Sequence, residues 1–464
     1  MFKKLIFLLT IVFYSTIALS QTKLASFFSD NMVLQQNEQV SIWGEDKPNK
    51  QIKITGSWGK KASVKTDRNG NWKIKLRTPI AGGPYTLKIK GSDTIIIKNV
   101  LIGEVWLCSG QSNMQMPIKG FANQPVIGSL ETILNSKNSQ IRMFQTTHNA
   151  SLTPLNNVNG KWVETSPETI RKFSATAYYF GQKIQELLGV PVGLIHTSWG
   201  ASTAEAWTDT KTISLFESAI IPTKIPNKKK QYEPTLLFNA MLHPFIGYNI
   251  KGAIWYQGES NRLRANEYEQ LISEMVKSWR TKWQNDFPFY FVQIAPFEYN
   301  NTNSAFLREA QLKTMLSLDN SGMAVTMDIG ECKNIHPGNK KHVGDRLAYW
   351  ALSKTYNIDG ITFSGPVYKQ MKVKDSKVIL SFDYAENGFS SFGKDLNGFE
   401  IAGEDKIFYE AIVKLNKNKT IIVRSDKVSK PVAVRYAFKN CVEGTLFNTE
   451  GLPASSFRTD NWEE

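Results

Sequence analysis

The sequence predicts an α/β protein in which a central parallel sheet, with helices on both faces, lies between two β-rich segments. Short strands separated by turns fill residues 21–99, and strands alternate with amphipathic helices over 100–358. Short strands return over 359–464. Regular alternation of strands and helices is typical of a parallel sheet covered on both sides. We therefore expect a central domain over 100–358 between β-sandwich-like domains at 21–99 and 359–464.

The β-rich start of the chain shows alternating polarity between turn residues, the pattern of half-buried strands. The predicted strands span residues 40–44, 51–54, 72–76 and 85–89. A turn at residues 67–71 precedes the third of them. Several short strands at this spacing favour a sandwich.

The central segment changes to a helical period. One helix is predicted from Ser174, with a stop at Gly189, and an apolar stretch follows it at 190–195. A second helix is predicted from about Glu267, before a strand at 289–294. Further buried strands are expected at 254–256 and 323–327, and C-terminal strands at 377–382, 420–423 and 432–436. Functional residues of such sheets lie at the carboxyl ends of the strands.

Residues 1–20 have the pattern of a secretory signal. Lysines precede an apolar run that is short for a bilayer span and ends in Ala18-Leu19-Ser20. We expect cleavage before Gln21, giving an exported protein, periplasmic or extracellular, with no membrane span afterwards. The alternative is an uncleaved membrane anchor.

The charge limits the kinds of binding partner that we expect, and the cysteine spacing limits the metal sites and disulfides. Lys and Arg exceed Asp and Glu by 56 − 41 = 15, but the basic residues are spread through loops such as 227–230. A solvated basic surface is favoured over attraction to acidic glycans, and no nucleic-acid partner is expected. Cys108, Cys332 and Cys441 have no metal-site spacing. A Cys108–Cys332 bridge is conceivable, but buried free thiols are favoured.

Polar residues follow several predicted strands. Gly110-Gln111-Ser112-Asn113-Met114 offers Ser112 as a nucleophile, with a tight turn at Gly110 and main-chain N–H groups for an oxyanion. Considered alone, it fits a plain turn better. In the segment 196–202, the N–H of Gly200 is a candidate oxyanion donor, and His196 is interpreted as a structural histidine.

Two later segments supply an amide and a base. Gln257-Gly258-Glu259-Ser260-Asn261 offers the Gln257 side chain as an oxyanion donor, with a helix N-cap at Ser260 or Asn261 as the alternative. His336 precedes Pro337, which stiffens the loop before a predicted helix near residue 339. A histidine held in this way can act as a general base.

Together, these segments resemble the SGNH hydrolases, and most closely the sialate O-acetylesterase branch. The matching segments are GQSNM (110–114), Trp199-Gly200 leading to AEAWT (204–208), QGESN (257–261), IHP (335–337) with Asn339-Lys340 and VGDRLA (343–348), and, outside the central segment, residues 29–35, 81–85, 450–454 and 457–460. The resemblance covers nearly the whole mature chain and implies an SGNH-type central sheet. It assigns the nucleophile to Ser112, the base to His336, and the oxyanion donors to the N–H groups of Ser112 and Gly200 and the side chain of Gln257.

The third member of the usual triad is missing from its expected place. Many relatives carry Asp three residues before the histidine, where this chain has Lys333. We favour a Ser-His dyad oriented by a main-chain carbonyl. The alternative is that Asp328, Glu331 or Glu259 orients the base.

The resemblance implies a carboxylic ester hydrolase that removes acetyl groups from sugars, above all from sialic acid, and that needs no metal or cofactor. Acetyl xylan or another polysaccharide is the alternative substrate. From another class, an inactive glycan-binding protein is the alternative, which the missing Asp motivates. The retained Ser112, Gln257 and His336 argue against it.

Overall fold

The computed structural model describes residues 21–416 and 419–462. The predicted signal, residues 1–20, lies outside these residues. Within them, no helix is both long and apolar enough to cross a membrane. The fold is α/β, with a large mixed sheet in the centre and smaller β-sheets on either side of it in the sequence.

The first β-rich segment contains all four of its predicted strands. Its strands are β1 (Lys23–Leu24), β2 (Val33–Gln35), β3 (Gln39–Glu45), β4 (Gln51–Gly56), β5 (Lys61–Lys65), β6 (Asn71–Arg77), β7 (Gly82–Lys90) and β8 (Thr94–Gly110). In β6, Trp72, Ile74 and Leu76 are buried while the residues between them are exposed. This period of two is what places one face of the strand against a core.

The central strands are β9 (Asn138–Gln145), β10 (Trp162–Thr165), β11 (Val192–Ser198), β12 (Gly252–Tyr256), β13 (Phe289–Val292) and β14 (Ser321–Ala324). Their order is β10-β9-β11-β8-β12-β13-β14. All neighbours from β9 to β14 are parallel, whereas β10 pairs with β9 in the antiparallel sense. The predicted parallel sheet is therefore the middle of a larger mixed one.

Strand β8 joins the first β-rich segment to the central sheet. Its first part pairs with β7, and its last part, from Glu104 to Gly110, pairs with β11. Every residue from Val100 to Gly110 is buried. The boundary predicted at residue 99 therefore falls inside one continuous strand, which runs directly into the Ser112 segment.

Helices lie on both faces of the central sheet. The α-helices are α1 (Ser112–Gln115), α2 (Ser129–Leu134), α3 (Pro167–Ile170), α4 (Ala175–Leu188), α5 (Thr210–Ile213), α6 (Ala265–Trp283), α7 (Ala305–Ser317) and α8 (Lys340–Trp350). On one face, Leu107 of β8 shares a hydrophobic cluster with Leu271 of α6 and Leu307 of α7. On the other, Trp106 lies in a cluster with Leu347 of α8 and apolar residues of α4.

The helix predicted from Ser174 has the expected ends. The Ser174 hydroxyl accepts a hydrogen bond from the Ala177 N–H at 3.1 Å, which caps the first turn of α4. Gly189 ends the helix with a φ of +66°, a left-handed conformation that favours glycine.

Short strands fill the C-terminal segment, as predicted. They are β15 (Val367–Lys374), β16 (Lys377–Asp383), β17 (Phe389–Ser390), β18 (Phe399–Ala402), β19 (Phe408–Glu410), β20 (Ile412–Leu415), β21 (Ile421–Arg424), β22 (Ala433–Tyr436), β23 (Phe447–Asn448) and β24 (Phe457–Arg458). They form sheets of the order β15-β16-β21-β20, β17-β23 and β19-β18-β22-β24. Tyr368 of β15 stacks on Phe457 of β24 with centroids 4.9 Å apart, which packs two of these sheets together.

The prediction of buried free thiols is confirmed for Cys108 and wrong for Cys332 and Cys441. Cys332 and Cys441 form a disulfide with a Cα–Cα distance of 5.4 Å, well inside the range for such bonds. The conceivable Cys108–Cys332 bridge is absent, because Cys332 is bonded to Cys441 and Cys108 is a free thiol buried in β8. The bridge ties the loop before His336 to the C-terminal segment.

Candidate active site

The position of Ser112 is set by the main chain. Gly110 ends β8 with a φ of +138°, and a Cβ at this residue would lie only 2.2 Å from the carbonyl oxygen of Tyr256. The Gln111 N–H donates to the same oxygen at 2.9 Å. Only glycine fits such a close approach. The chain therefore turns sharply at the end of the sheet and presents Ser112 as the first residue of α1.

Asn113 connects the serine turn to the histidine loop. Its side-chain amide donates to Oε1 of Glu259 at 2.6 Å and to the main-chain oxygen of Ile335 at 3.0 Å. Its Oδ1 accepts from Nζ of Lys340 at 2.5 Å. Ile335 directly precedes His336, so the structure brings the Ser112 and His336 segments together through one buried side chain.

Beneath Asn113 lies a buried pair of opposite charges. Glu259 and Lys340 are 4% and 0% exposed. Burial raises the pKa of Glu259, and burial lowers the pKa of Lys340 to about 7 although the Glu259 charge acts in the opposite direction. One oxygen of Glu259, Oε2, has no hydrogen-bond partner among the described residues. The Asn113 amide lies between the two groups and binds both.

Gly200 lies beside Ser112, as predicted. A Cβ on Gly200 would be 3.5 Å from the Cβ of Ser112. Its N–H is not vacant, because it donates to Oε1 of Gln115 at 2.5 Å. An incoming oxyanion would have to take the place of this amide oxygen. Sequence reasoning missed Gln115, which has no motif of its own beyond its position after GQSNM.

The side-chain amide of Gln257 is engaged in hydrogen bonds to neighbouring residues. Gln257 is fully buried, and its Nε2 donates to the oxygen of Ser202 at 3.1 Å and to Oδ1 of Asn261 at 2.7 Å. Its Oε1 accepts from the Tyr268 hydroxyl at 2.9 Å. Both amide hydrogens are thus used to hold neighbouring loops, and the geometry gives no support to the predicted donor role.

His336 is held with one ring nitrogen occupied. Its Nδ1 lies 2.8 Å from Oε1 of Gln124, and the ring of Phe121 packs edge-on against it at 5.2 Å. An amide oxygen only accepts, so Nδ1 carries the hydrogen and Nε2 keeps its lone pair. Burial and the Lys340 charge lower the pKa of His336 to about 4. At neutral pH the ring is therefore neutral, the form that a general base needs.

None of the three predicted carboxylates orients the ring. Asp328 forms a two-bond ion pair with Arg346, at 2.7 and 2.6 Å. Glu331 instead binds the histidine loop itself, accepting from Asn334 Nδ2 at 3.0 Å and from the Gly338 N–H at 2.7 Å. Glu259 binds Asn113, as described. The favoured alternative, a main-chain carbonyl, is also replaced by a side chain, that of Gln124.

His196 occupies a structural position. It is 2% exposed in β11, and its Nε2 lies 2.6 Å from the Ser198 hydroxyl. Burial lowers its pKa to about 3, so it stays neutral. Near it, Trp199 stacks on His148 with centroids 4.4 Å apart, beside Gly200.

Comparisons with known proteins identify the family of the chain. A family described as carbohydrate esterase, sialic acid-specific acetylesterase, matches residues 102–353, more than half of the chain. Sialate O-acetylesterase of Mus musculus is 26% identical, with 94% of each chain covered. That of Homo sapiens is 27% identical, with 82% of this chain and 80% of the relative covered.

A solved structure extends the likeness to the fold. A carbohydrate acetylesterase from Xanthomonas citri superposes with a TM-score of 0.88 at 35% identity, covering 95% of this chain and all of the other. The protein is therefore a carboxylic ester hydrolase. It belongs to the carbohydrate esterases of the sialic acid-specific acetylesterase family.

Proposed function

We propose that this protein removes O-acetyl groups from sialic acid, with Ser112 as the nucleophile and His336 as the general base. The choice of sialic acid as substrate is supported by the relatives described as sialate O-acetylesterases. The observation that supports the residue roles is the state of His336: Nδ1 is occupied by Gln124, Nε2 is left as an acceptor, and Asn113 joins its loop to the Ser112 turn.

The reaction proceeds by acyl transfer. His336 Nε2 takes the proton of the Ser112 hydroxyl as Oγ attacks the acetyl carbonyl, and the oxyanion is stabilised by the N–H groups of Ser112 and Gly200. The C–O bond to the sugar breaks, and the imidazolium returns the proton to the sugar oxygen. Water then attacks the acetyl-serine by the same route and releases acetate. Binding of the carbonyl oxygen displaces the Gln115 oxygen from Gly200.

Three wider features belong to the same proposal. The central sheet and its helices form an SGNH-type catalytic domain that extends to residue 358 and shares strand β8 with the sandwich-like β-domain before it, and a second such β-domain follows at 359–464. Residues 1–20 direct export to the periplasm or the exterior. The Cys332–Cys441 disulfide supports export, because such bonds persist in oxidising compartments.

The deciding experiment measures acetate release from O-acetylated N-acetylneuraminic acid by the chain from Gln21 onward. We expect turnover by wild type and a loss of about 10³-fold or more in Ser112→Ala. Both proteins should show the same thermal unfolding midpoint, since Ser112 is a half-buried residue with a small side chain. Equal turnover by wild type and Ser112→Ala would overturn the proposal.

Acetylated xylan is the second substrate to test, because the Xanthomonas citri protein is described only as a carbohydrate acetylesterase. If acetate is released from xylan and not from the sialic acid, the substrate is acetylated xylan, and the proposed mechanism of ester hydrolysis is unchanged. An aryl acetate tests the chemistry alone. If folded wild type shows no Ser112-dependent turnover of any of the three, the glycan-binding alternative replaces the esterase.

A further inference from the structure

The partner of His336 is a neutral amide in a distant part of the chain. Gln124 lies 212 residues before the histidine, in the loop between α1 and α2, and its Oε1 is 2.8 Å from Nδ1. We propose that Gln124 is the positioning residue of the catalytic base, in the place where serine hydrolases usually hold a carboxylate. The inference rests on the proposed roles of Ser112 and His336.

The main chain around Gln124 holds its side chain in place. The Gln124 N–H donates to the Phe121 oxygen at 3.1 Å, and the Phe121 N–H donates to the Gln124 oxygen at 3.0 Å. Gly120, at a φ of +79°, lies so close that a Cβ there would be 2.4 Å from the Gln124 oxygen. This closed turn presents Phe121 and Gln124 together, one to the edge of the imidazole and one to its Nδ1.

A second set of contacts joins the same loop to the residues after His336. The Ile127 N–H donates to the Gly338 oxygen at 2.9 Å. A Cβ on Gly338 would lie 2.8 Å from the Pro125 oxygen, so the two main chains touch. Residues after Gln124 thus contact Gly338, two residues after the histidine, while Phe121 before Gln124 packs against the imidazole ring. The Nδ1 hydrogen bond is part of a packed interface between two loops.

An amide differs from a carboxylate in what it can do for a base. It fixes the tautomer and the ring plane, but it adds no negative charge to stabilise the imidazolium. The charged groups packed around the histidine loop are Lys340 at the start of α8, Glu331 in the loop and Glu259 beneath Asn113. No charged side chain comes from the described Phe121–Gln124 turn. The base is therefore positioned without being made more basic.

The first test removes the acceptor. Gln124→Met keeps the length of the side chain and cannot accept the Nδ1 hydrogen. We expect kcat on O-acetylated N-acetylneuraminic acid to fall by about 10-fold or more, a part of the 10² to 10⁴ that a positioned general base supplies. KM should change little, because the residue acts through His336. A wild-type kcat in a folded Gln124→Met would contradict the inference.

The second test keeps the acceptor and adds a charge. In Gln124→Glu, the carboxylate favours the imidazolium, so the acid limb of kcat/KM should move to higher pH by about 1 unit or more. Asn123→Asp is the matched control: it adds the same charge at the exposed neighbouring position of the turn, where a φ of +60° suits Asp, and it should leave the limb near its wild-type position.

The outcomes separate the two proposals. Turnover that does not depend on Ser112 overturns the proposed function. Turnover that depends on Ser112, with the same pH limb in Gln124→Glu, Asn123→Asp and wild type, overturns only the role of Gln124. If Gln124→Met does not fold, the pH profile of the near-isosteric Gln124→Glu decides the question.

Discussion

Ser112 follows a strand whose residues are buried from Val100 to Gly110, whereas His336 lies in a loop whose residues 331–333 are exposed. The serine is placed by main-chain contacts to the neighbouring strand. The histidine is placed by side chains from other parts of the chain, among them Gln124 and Asn113. A residue placed by main-chain contacts depends on a glycine and on the strand register. A residue placed by side-chain contacts can be held by a different side chain after substitution. This difference explains how the proposed base can be oriented although Lys333 stands at the position where the family resemblance implies Asp.

The largest expected effect comes from removing the proposed base, His336. His336→Ala should lower kcat by about 10² to 10⁴, the contribution of a positioned general base, because it removes the imidazole that we propose takes the Ser112 proton. His342→Ala, the same change at an exposed histidine of α8, is the control and should keep wild-type kcat. Steady-state assays on an aryl acetate decide it, and a comparable loss in both variants would point to a structural effect.

Breaking the covalent tie of the histidine loop should cost stability. The double variant Cys332→Ser with Cys441→Ser should lose about 2 to 5 kcal/mol in the free energy of unfolding, measured by urea titration. A thiol reductant should produce the same loss in wild type and no further loss in the double variant. If the reductant weakens the double variant as well, its effect is not on this disulfide.

The main-chain contacts that place Ser112 can be tested by substitution at Gly110. Gly110→Ala forces a Cβ towards the Tyr256 oxygen in a backbone conformation unsuited to alanine, so we expect a loss of about 1 to 3 kcal/mol. Gly128→Ala is the matched control, since Gly128 also has a positive φ, of +72°, but no atom within 4 Å of the added Cβ. The difference between their unfolding free energies reports the close contact, and equal losses would show that it is unimportant.

The smallest expected effect concerns pH. The proposed base must be neutral to accept a proton, and a pKa of His336 lowered to about 4 keeps the ring neutral well below the usual histidine range. We therefore expect kcat/KM to stay nearly constant down to pH of about 5 and to fall only near pH 4. Enzyme held at each pH and returned to neutral assay controls for unfolding. An acid limb near the ordinary histidine pKa, about 6.5, would contradict the lowered value.

The parts predicted from sequence are those with a local pattern. Alternating polarity located the strands, and Ser174 and Gly189 correctly predicted the ends of α4. The place of segment 196–202 after a predicted strand, together with the family resemblance, predicted Gly200 near Ser112, and the structure has it there. Gln124 had no such pattern, because a glutamine before a proline in a polar loop has no local reason to meet a histidine far along the chain. The disulfide was missed for the same reason: pairing depends on how loops fold back, which spacing does not show.

The Cys332–Cys441 bridge has a consequence for the order in which the site is completed. Its two cysteines are 109 residues apart, so the second leaves the ribosome long after the serine turn and the histidine loop have been synthesised. A chain that stops before Cys441 can contain both Ser112 and His336 and still lack the disulfide that fastens the His336 loop. Full constraint of the His336 loop thus marks a chain synthesised past Cys441 and then oxidised.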